Sequence, residues 1–173
     1  NTSAFIYVVR DPRNVILSMS NHFGITQEES FKIITNEKHI IYPQIGNELI
    51  PATLVSSWGN NYSSWKNCNS IPKIIIKYED LIHDAEKNFK KIINFLKQKI
   101  KIEYDEEKII NSARTTQFEN LKKIEDEHGF NAGQKNKFFY LGKKNDWRNL
   151  LAKGINDRII IKFESEMKEL EYI

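Results

Sequence analysis

The sequence predicts an α/β fold in which helices flank a parallel sheet. Two short apolar runs, Ala4–Val9 and Lys73–Tyr78, are rich in aromatic and β-branched residues, as strands buried on both faces of a parallel sheet are. Helical periodicity follows each run, and strands that alternate with helices form parallel sheets. Because two strands do not make a stable sheet alone, we expect the remaining strands upstream of Asn1.

Length and composition predict a single domain over residues 1–173. Of the 173 residues, 40% are hydrophobic and 28% are charged, a balance typical of globular proteins. No apolar run approaches the ~20 residues of a membrane span, and a lone cysteine, Cys68, offers no disulfide framework. These features predict a cytoplasmic protein. The net charge of +3 is too small to indicate a partner.

The first two helices have recognisable start signals. Asp11 precedes Pro12, which places a capping carboxylate before a proline at the first helical position. Thr26 and Glu29 have the spacing of a capping box, in which side chain and backbone at the start of a helix bond reciprocally. The sequence therefore predicts one helix from Pro12 and a second helix that ends near Lys38.

Later elements follow from periodicity and from turn residues. The segment Ile40–Ala52 has two prolines, one glycine and no sustained period, which predicts an irregular surface segment. The glycine- and lysine-containing segment His128–Lys144 predicts a loop. Apolar periodicity predicts further helices around Trp58–Trp65, along the stripe of Phe89, Ile92, Ile93 and Leu96, at Asp105–Arg114, at Gln117–Glu127 and along Ile159–Leu170.

The turn after the first strand has the chemistry of an anion site. Ligands of open α/β sheets bind beyond the carboxyl ends of the strands, which is where Arg10 should lie. Its planar guanidinium can hold a phosphate through two hydrogen bonds, and the helix that follows presents a positive dipole end. Ser18, two helical turns on, reaches an anion only if that anion lies along the helix. The motif fits equally well an Arg10 paired with a carboxylate such as Asp11.

Five stretches, in order along the chain, resemble sulfotransferases that use 3′-phosphoadenosine 5′-phosphosulfate (PAPS). YVVRDPRNVILSMSNHFG, from Tyr7 to Gly24, resembles the segment with which that family grips the nucleotide's 3′-phosphate. SSWGNNYSSW resembles the family's Gly-Ser-Trp segment, and IIIKYEDL resembles its Tyr-Glu-Asp-Leu strand end. TQFENL is similar to its Thr-Ser-Phe element, and FFYLGKKNDWRNLL to its late Arg-Lys-Gly loop with the Gly-Asp-Trp-Lys continuation. Together they span nearly the whole chain.

The resemblance implies a P-loop-type sulfotransferase fold and a set of nucleotide ligands. Arg10 and Ser18 would bind the 3′-phosphate, Tyr78 would hydrogen-bond the adenine, and Thr116 with Phe118 would form part of the base pocket. PAPS would be the co-substrate, without a metal. The implied reaction transfers a sulfuryl group to a hydroxyl or amine of a small-molecule or carbohydrate acceptor.

The late loop departs from the family pattern. Tyr140-Leu141-Gly142 stands where the family usually has Arg-Lys-Gly, so the second guanidinium for the 3′-phosphate is missing. We expect Lys143 or Lys144 to supply the positive charge instead. Gly142 is retained, and a glycine lets backbone N–H groups approach a phosphate closely.

The catalytic residues are expected upstream of Asn1. In the family, the loop that cradles the 5′-phosphosulfate and the histidine base both precede the arginine strand. The chain should therefore be the C-terminal part of a sulfotransferase domain and should be inactive alone. Within it, only His22, beyond Ser18 on the same helix, is a candidate base. The histidines do not have metal-ligand spacing.

Two alternatives remain open at the level of sequence. A kinase of the wider P-loop class also meets phosphate with an arginine after a strand. A basic binding module could use Lys87–Lys101, although most of those lysines lie opposite the apolar stripe, as on an ordinary solvated face. We expect no nucleic-acid partner, and the acceptor depends on loops such as Phe31–Ser57.

Overall fold

The structure is a computed structural model that describes residues 2–42, 51–129, 136–142 and 145–173. The described strands are β1 (Phe5–Val9), β2 (Ile40–Ile41), β3 (Thr53–Leu54) and β4 (Lys73–Lys77). The described helices are α1 (Pro12–Phe23), α2 (Gln27–Thr35), α3 (Trp58–Lys66), α4 (Tyr78–His83), α5 (Ala85–Lys97), α6 (Glu106–Thr115), α7 (Phe118–His128), α8 (Trp147–Leu150) and α9 (Lys153–Glu169). Within these ranges, none of the helices has the length and apolar character needed to cross a membrane.

The chain divides into two compact units. The first comprises Asn1–Asp11 and Cys68–Asn145, and the second comprises Pro12–Asn67 and Asp146–Ile173. Each is described by itself below. The prediction of one domain over residues 1–173 stays a prediction.

A parallel strand pair forms the centre of the first unit. β1 pairs with β4 in a continuous register from Phe5 opposite Lys73 to Val9 opposite Lys77. Both strands therefore end at the same edge of the sheet, and the residues that follow them, Arg10 and Tyr78, come next in register. This pair confirms the predicted α/β fold with a parallel sheet flanked by helices.

The prediction that β1 is buried on both faces is wrong. Val9 is buried, but Ile6 and Val8 are 40% and 46% exposed. These two residues share one face of the strand, because side chains alternate along it. Among the described residues, that face is therefore only partly covered. Lys73–Tyr78 also ends earlier than expected, because Tyr78 is the first residue of α4 rather than the last residue of the strand.

Helices α5, α6 and α7 complete the first unit close to their predicted positions. The apolar stripe of α5 is half-buried, and its Phe89, Ile92 and Ile93 line a groove of about 330 Å³ together with Ile109 of α6. Lys90, on the basic helix α5, contacts Glu86 and Glu106 at 2.7 Å each, so part of its positive charge is neutralised locally.

The core of the second unit lies between α1, α2 and α9. Its buried members are Ile16, Phe31, Ile34, Ile155, Ile159, Phe163 and Met167. The capping box of α2 is confirmed, because the Thr26 hydroxyl accepts from the Glu29 amide and the Glu29 carboxylate accepts from the Thr26 amide. The helix ends at Thr35, earlier than the predicted Lys38, where Asn36 leaves helical geometry.

Two short elements of the second unit escaped the sequence analysis. Ile40–Ile41 pairs antiparallel with Thr53–Leu54, so the segment predicted as irregular, Ile40–Ala52, begins in one strand of a small ribbon and is followed directly by the other. Residues 43–50, also part of that prediction, lie outside the described residues. The helix Trp147–Leu150 is a single turn. Strands of two residues and helices of four are too short to show a period in sequence.

Candidate functional site

Arg10 and Tyr78 meet at the carboxyl end of the parallel strands. The guanidinium carbon of Arg10 lies 4.4 Å from the centroid of the Tyr78 ring, and both residues are half-buried. This distance is within the range of a cation–π contact. The N–H donors of a guanidinium lie along its edges, which are the part that binds an oxyanion. The contact places the group that the sequence assigns to the anion beside an aromatic ring.

A carboxylate fixes the turn that follows Arg10. The backbone N–H of Asp11 donates to Oε1 of Glu79 at 3.1 Å, and Asp11 is buried. Glu79 thus links the turn after β1 to the start of α4, next to Tyr78. Sequence analysis gave Glu79 no role, although it stands inside the Tyr-Glu-Asp-Leu stretch. The capping role predicted for the Asp11 carboxylate stays a prediction.

Phe118 and Gly142 form a second contact in the first unit. Gly142 has φ +52°, and a methyl group in place of its hydrogen would lie 2.6 to 2.8 Å from atoms of the Phe118 ring. Only a glycine accommodates both the positive φ and this approach. The Phe118 ring also meets Phe139 edge-on, with 6.1 Å between centroids. The late loop and the start of α7 are therefore packed directly against each other.

The Thr116 hydroxyl donates to the carbonyl of Ser112 at 2.7 Å and lies exposed at the end of α6. This bond uses the hydroxyl hydrogen but leaves the oxygen able to accept.

The two lysines expected to replace the missing arginine, Lys143 and Lys144, lie outside the described residues. Their role stays a prediction.

Ser18 and His22 both belong to α1, in the second unit. Ser18 is half-buried, and the His22 ring packs edge-on against Phe23 with 4.7 Å between centroids. These contacts do not test whether Ser18 binds the 3′-phosphate or whether His22 acts as a base. Both roles stay predictions.

Arg13 is a buried residue of the arginine motif that sequence analysis missed. Its guanidinium carbon lies 3.7 Å from the Trp147 ring centroid, and its Nη2 donates to the Tyr172 carbonyl at 2.8 Å. The neighbouring Asn14 accepts from the Trp147 amide at 3.1 Å. Within the second unit, the first and last family-like stretches therefore contact each other. Both residues stand inside family-like stretches, but the sequence analysis predicted no contact between them.

In the part of the chain that the structure describes, no group of three or more His, Cys, Asp or Glu residues could hold a metal ion. The first unit contains two separate contacts, that of Arg10 with Tyr78 and that of Phe118 with the positive-φ Gly142. Arginine and aromatic rings are groups suited to a ligand that has an anionic group and an aromatic base.

The chain belongs to the sulfotransferase family. The sequence profile described as "Sulfotransferase domain" matches residues 2–171. The chain is 26% identical over 168 residues to the flavonol 4′-sulfotransferase of Flaveria chlorifolia, covering 89% of this chain and 49% of that protein. It is 28% identical over 127 residues to cytosolic sulfotransferase 14 of Arabidopsis thaliana, covering 69% of this chain and 35% of that protein. The chain thus spans at most about half the length of these relatives.

Solved structures share the fold. A crystal structure of mouse sulfotransferase SULT7A1 complexed with PAP has a TM-score of 0.65 and 23% identity, over 94% of this chain and 57% of that chain. Retinol dehydratase in complex with androsterone and the inactive cofactor PAP has a TM-score of 0.64 and 18% identity, over 94% of this chain and 47% of that chain.

Proposed function

We propose that this chain binds PAPS and that the protein transfers the sulfuryl group of PAPS to a hydroxyl or amine acceptor. The observation that carries the proposal is the contact between Arg10 and the Tyr78 ring at the shared carboxyl end of the parallel strands. Membership of the sulfotransferase family supports the reaction, and the PAP bound in the structural neighbours supports the donor.

Arg10 serves as the principal ligand of the 3′-phosphate. A guanidinium oriented by an aromatic face presents its fork to a phosphate through two parallel hydrogen bonds. Ser18 adds one hydrogen bond to the same phosphate from α1. Tyr78 bonds the adenine through its hydroxyl, which lies at the polar end of the ring that supports Arg10.

Phe118 serves as the stacking surface for the purine, with Thr116 beside it in sequence. Aromatic stacking on a nucleobase contributes about 1–3 kcal/mol per base. Gly142 brings loop backbone up to the same ring, and Lys143 or Lys144 supplies the charge that the loop lacks at Tyr140. The nucleotide is thus held at its base and at its 3′ end by residues of this chain.

Sulfuryl transfer resembles phosphoryl transfer in needing positioning and cationic stabilisation of a loose transition state. The residues assigned above anchor the donor. Because such contacts bind the ground state and the transition state equally, they do not by themselves accelerate the transfer. The acceptor is a small molecule, as the name of the flavonol 4′-sulfotransferase suggests for that relative. His22 is retained as a candidate base on α1.

The test is sulfuryl transfer from labelled PAPS to a panel of phenols, alcohols and amines by the intact gene product. We expect transfer to at least one acceptor class, with inhibition by adenosine 3′,5′-bisphosphate. Transfer of a phosphoryl group from ATP, without transfer from PAPS, would replace the proposal with the P-loop kinase alternative.

A further inference from the structure

Glu125 is a buried carboxylate whose two oxygens bind two consecutive backbone amides. It lies in the last turn of α7 and is 8% exposed. The Phe138 amide donates to Oε1 at 2.6 Å, and the Phe139 amide donates to Oε2 at 2.8 Å. A carboxylate is seldom fully buried unless its charge is satisfied, and amide donors to a charged oxygen are among the stronger hydrogen bonds in proteins.

The same helix holds the loop at its other end. The Phe118 ring, at the start of α7, contacts Gly142 and packs edge-on against Phe139. Lys137, just before the loop segment, forms an ion pair with Asp126 of α7. The segment 138–142 is therefore attached to one helix through hydrogen bonds at its beginning and through ring contacts at its end.

We propose that Glu125 is a positioning residue for 3′-phosphate recognition, an inference that rests on the proposed function. It fixes the beginning of the segment that carries Gly142. The loop has Tyr140 where the family usually has an arginine. Recognition then depends more on where the backbone around Gly142 is held, because no long guanidinium compensates for a displaced loop.

The substitution Glu125→Gln tests this directly, because it keeps the shape of the side chain and replaces one acceptor oxygen with a donor NH₂. One of the two amides then faces a donor. We expect amide exchange at Phe138 and Phe139 to become about tenfold faster or more, since a hydrogen bond to a charged group is lost. We expect about tenfold weaker binding of adenosine 3′,5′-bisphosphate, and little change for adenosine 5′-monophosphate, which lacks the 3′ group.

Two further variants separate positioning from general stability. Glu127→Gln makes the same charge change at an exposed residue of the same helix, and should leave both affinities unchanged. Glu125→Asp keeps both acceptor oxygens one methylene further away, and should partly restore the preference for the bisphosphate. If Glu125→Gln unfolds too easily for titration, the nucleotide preference of Glu125→Asp decides the inference. A weaker preference for the bisphosphate than in the unsubstituted protein supports it, and an unchanged preference overturns it.

The outcomes distinguish this inference from the proposed function. If the unsubstituted protein binds neither nucleotide, the proposed function fails, together with the role of Glu125 toward the phosphate. If it prefers the bisphosphate and Glu125→Gln keeps that preference, the inference alone is overturned, even when amide exchange becomes faster. Rapid exchange of the Phe138 and Phe139 amides in the unsubstituted protein would also overturn it, because the two hydrogen bonds would then not hold the loop.

Discussion

The guanidinium of Arg10 lies over the ring of Tyr78, 4.4 Å from its centroid. The two residues are far apart in sequence but follow directly on paired residues, Val9 and Lys77, of two parallel strands. Register in the sheet therefore brings the two residues together, with the arginine over an aromatic ring. The same edge carries the hydrogen bond from the Asp11 amide to Glu79, so the turn around the arginine is fixed on both sides.

Arg10→Lys should weaken binding of adenosine 3′,5′-bisphosphate by about tenfold, because a point charge replaces a planar fork and the stacking on Tyr78 is reduced. Binding of adenosine 5′-monophosphate should change much less. Calorimetric titration of both nucleotides measures the difference. Arg158→Lys, at an exposed arginine paired with Glu28, is the matched control and should leave both affinities alone. Equal affinities for the bisphosphate before and after Arg10→Lys would remove Arg10 from the site.

Gly142→Ala should damage both stability and nucleotide binding. The added methyl group meets the Phe118 ring at 2.6 to 2.8 Å, and the residue has φ +52°, a combination that should cost at least about 1 kcal/mol. Chemical denaturation measures the loss. Gly154→Ala is the control, because nothing lies within 4 Å of its added carbon and the residue is in α9. It should stabilise the protein by up to about 1 kcal/mol. Equal effects of the two substitutions would mean that the loop does not pack on Phe118.

Arg13→Lys should lower the free energy of unfolding by about 1–2 kcal/mol, since it removes the ring contact with Trp147 and the bond to the Tyr172 carbonyl. Arg148 lies 4.8 Å from the same ring but is exposed, and Arg148→Lys should cost less than about 0.5 kcal/mol. Urea unfolding of both variants gives the comparison. A larger loss at Arg148 than at Arg13 would show that burial does not determine the strength of these contacts.

Burial raises the pKa of Tyr7, on β1, from its ordinary value of 10.0 to about 12. Below 10.0 the phenol is protonated in both the folded and the unfolded state. As the pH rises from 10.0 toward about 12, the unfolded state loses its proton first, so the folded state loses stability in this window. Tyr7→Phe should therefore reduce the loss of thermal stability over that range. Tyr140→Phe, at an exposed tyrosine, should behave as the unsubstituted protein does. The prediction fails if the two variants respond identically.

The sequence predicted the parts of the fold that local chemistry decides. The strand before Arg10, the helix after Pro12 and the capping box at Thr26 depend on residues a few positions apart, and all three are confirmed. The parallel orientation of β1 and β4 also followed, because strands that alternate with helices form parallel sheets, whereas their direct pairing was not predicted. The exposure of Ile6 and Val8 was not predicted, since a run of apolar residues does not show which faces of a strand other elements cover.

The contacts that hold the candidate site were harder to predict. Glu125 looks like one more charged residue in an acidic, exposed helix end, and only the folded chain brings it to the amides of Phe138 and Phe139. Arg13 similarly gains its role from Trp147, more than a hundred residues later in the sequence. Hydrogen bonds to backbone amides leave no residue-type signature in the segment that donates them, so sequence patterns cannot show them.

The most direct test of the account is a titration of the intact gene product with three nucleotides: adenosine 3′,5′-bisphosphate, adenosine 5′-monophosphate and ATP. The account predicts clear preference for the bisphosphate, by tenfold or more if the 3′-phosphate meets a charged bidentate ligand. That preference should disappear in Arg10→Lys. Tighter binding of ATP, or equal binding of the bisphosphate and the monophosphate, would contradict the assignment of this strand edge to the 3′-phosphate of a sulfuryl donor.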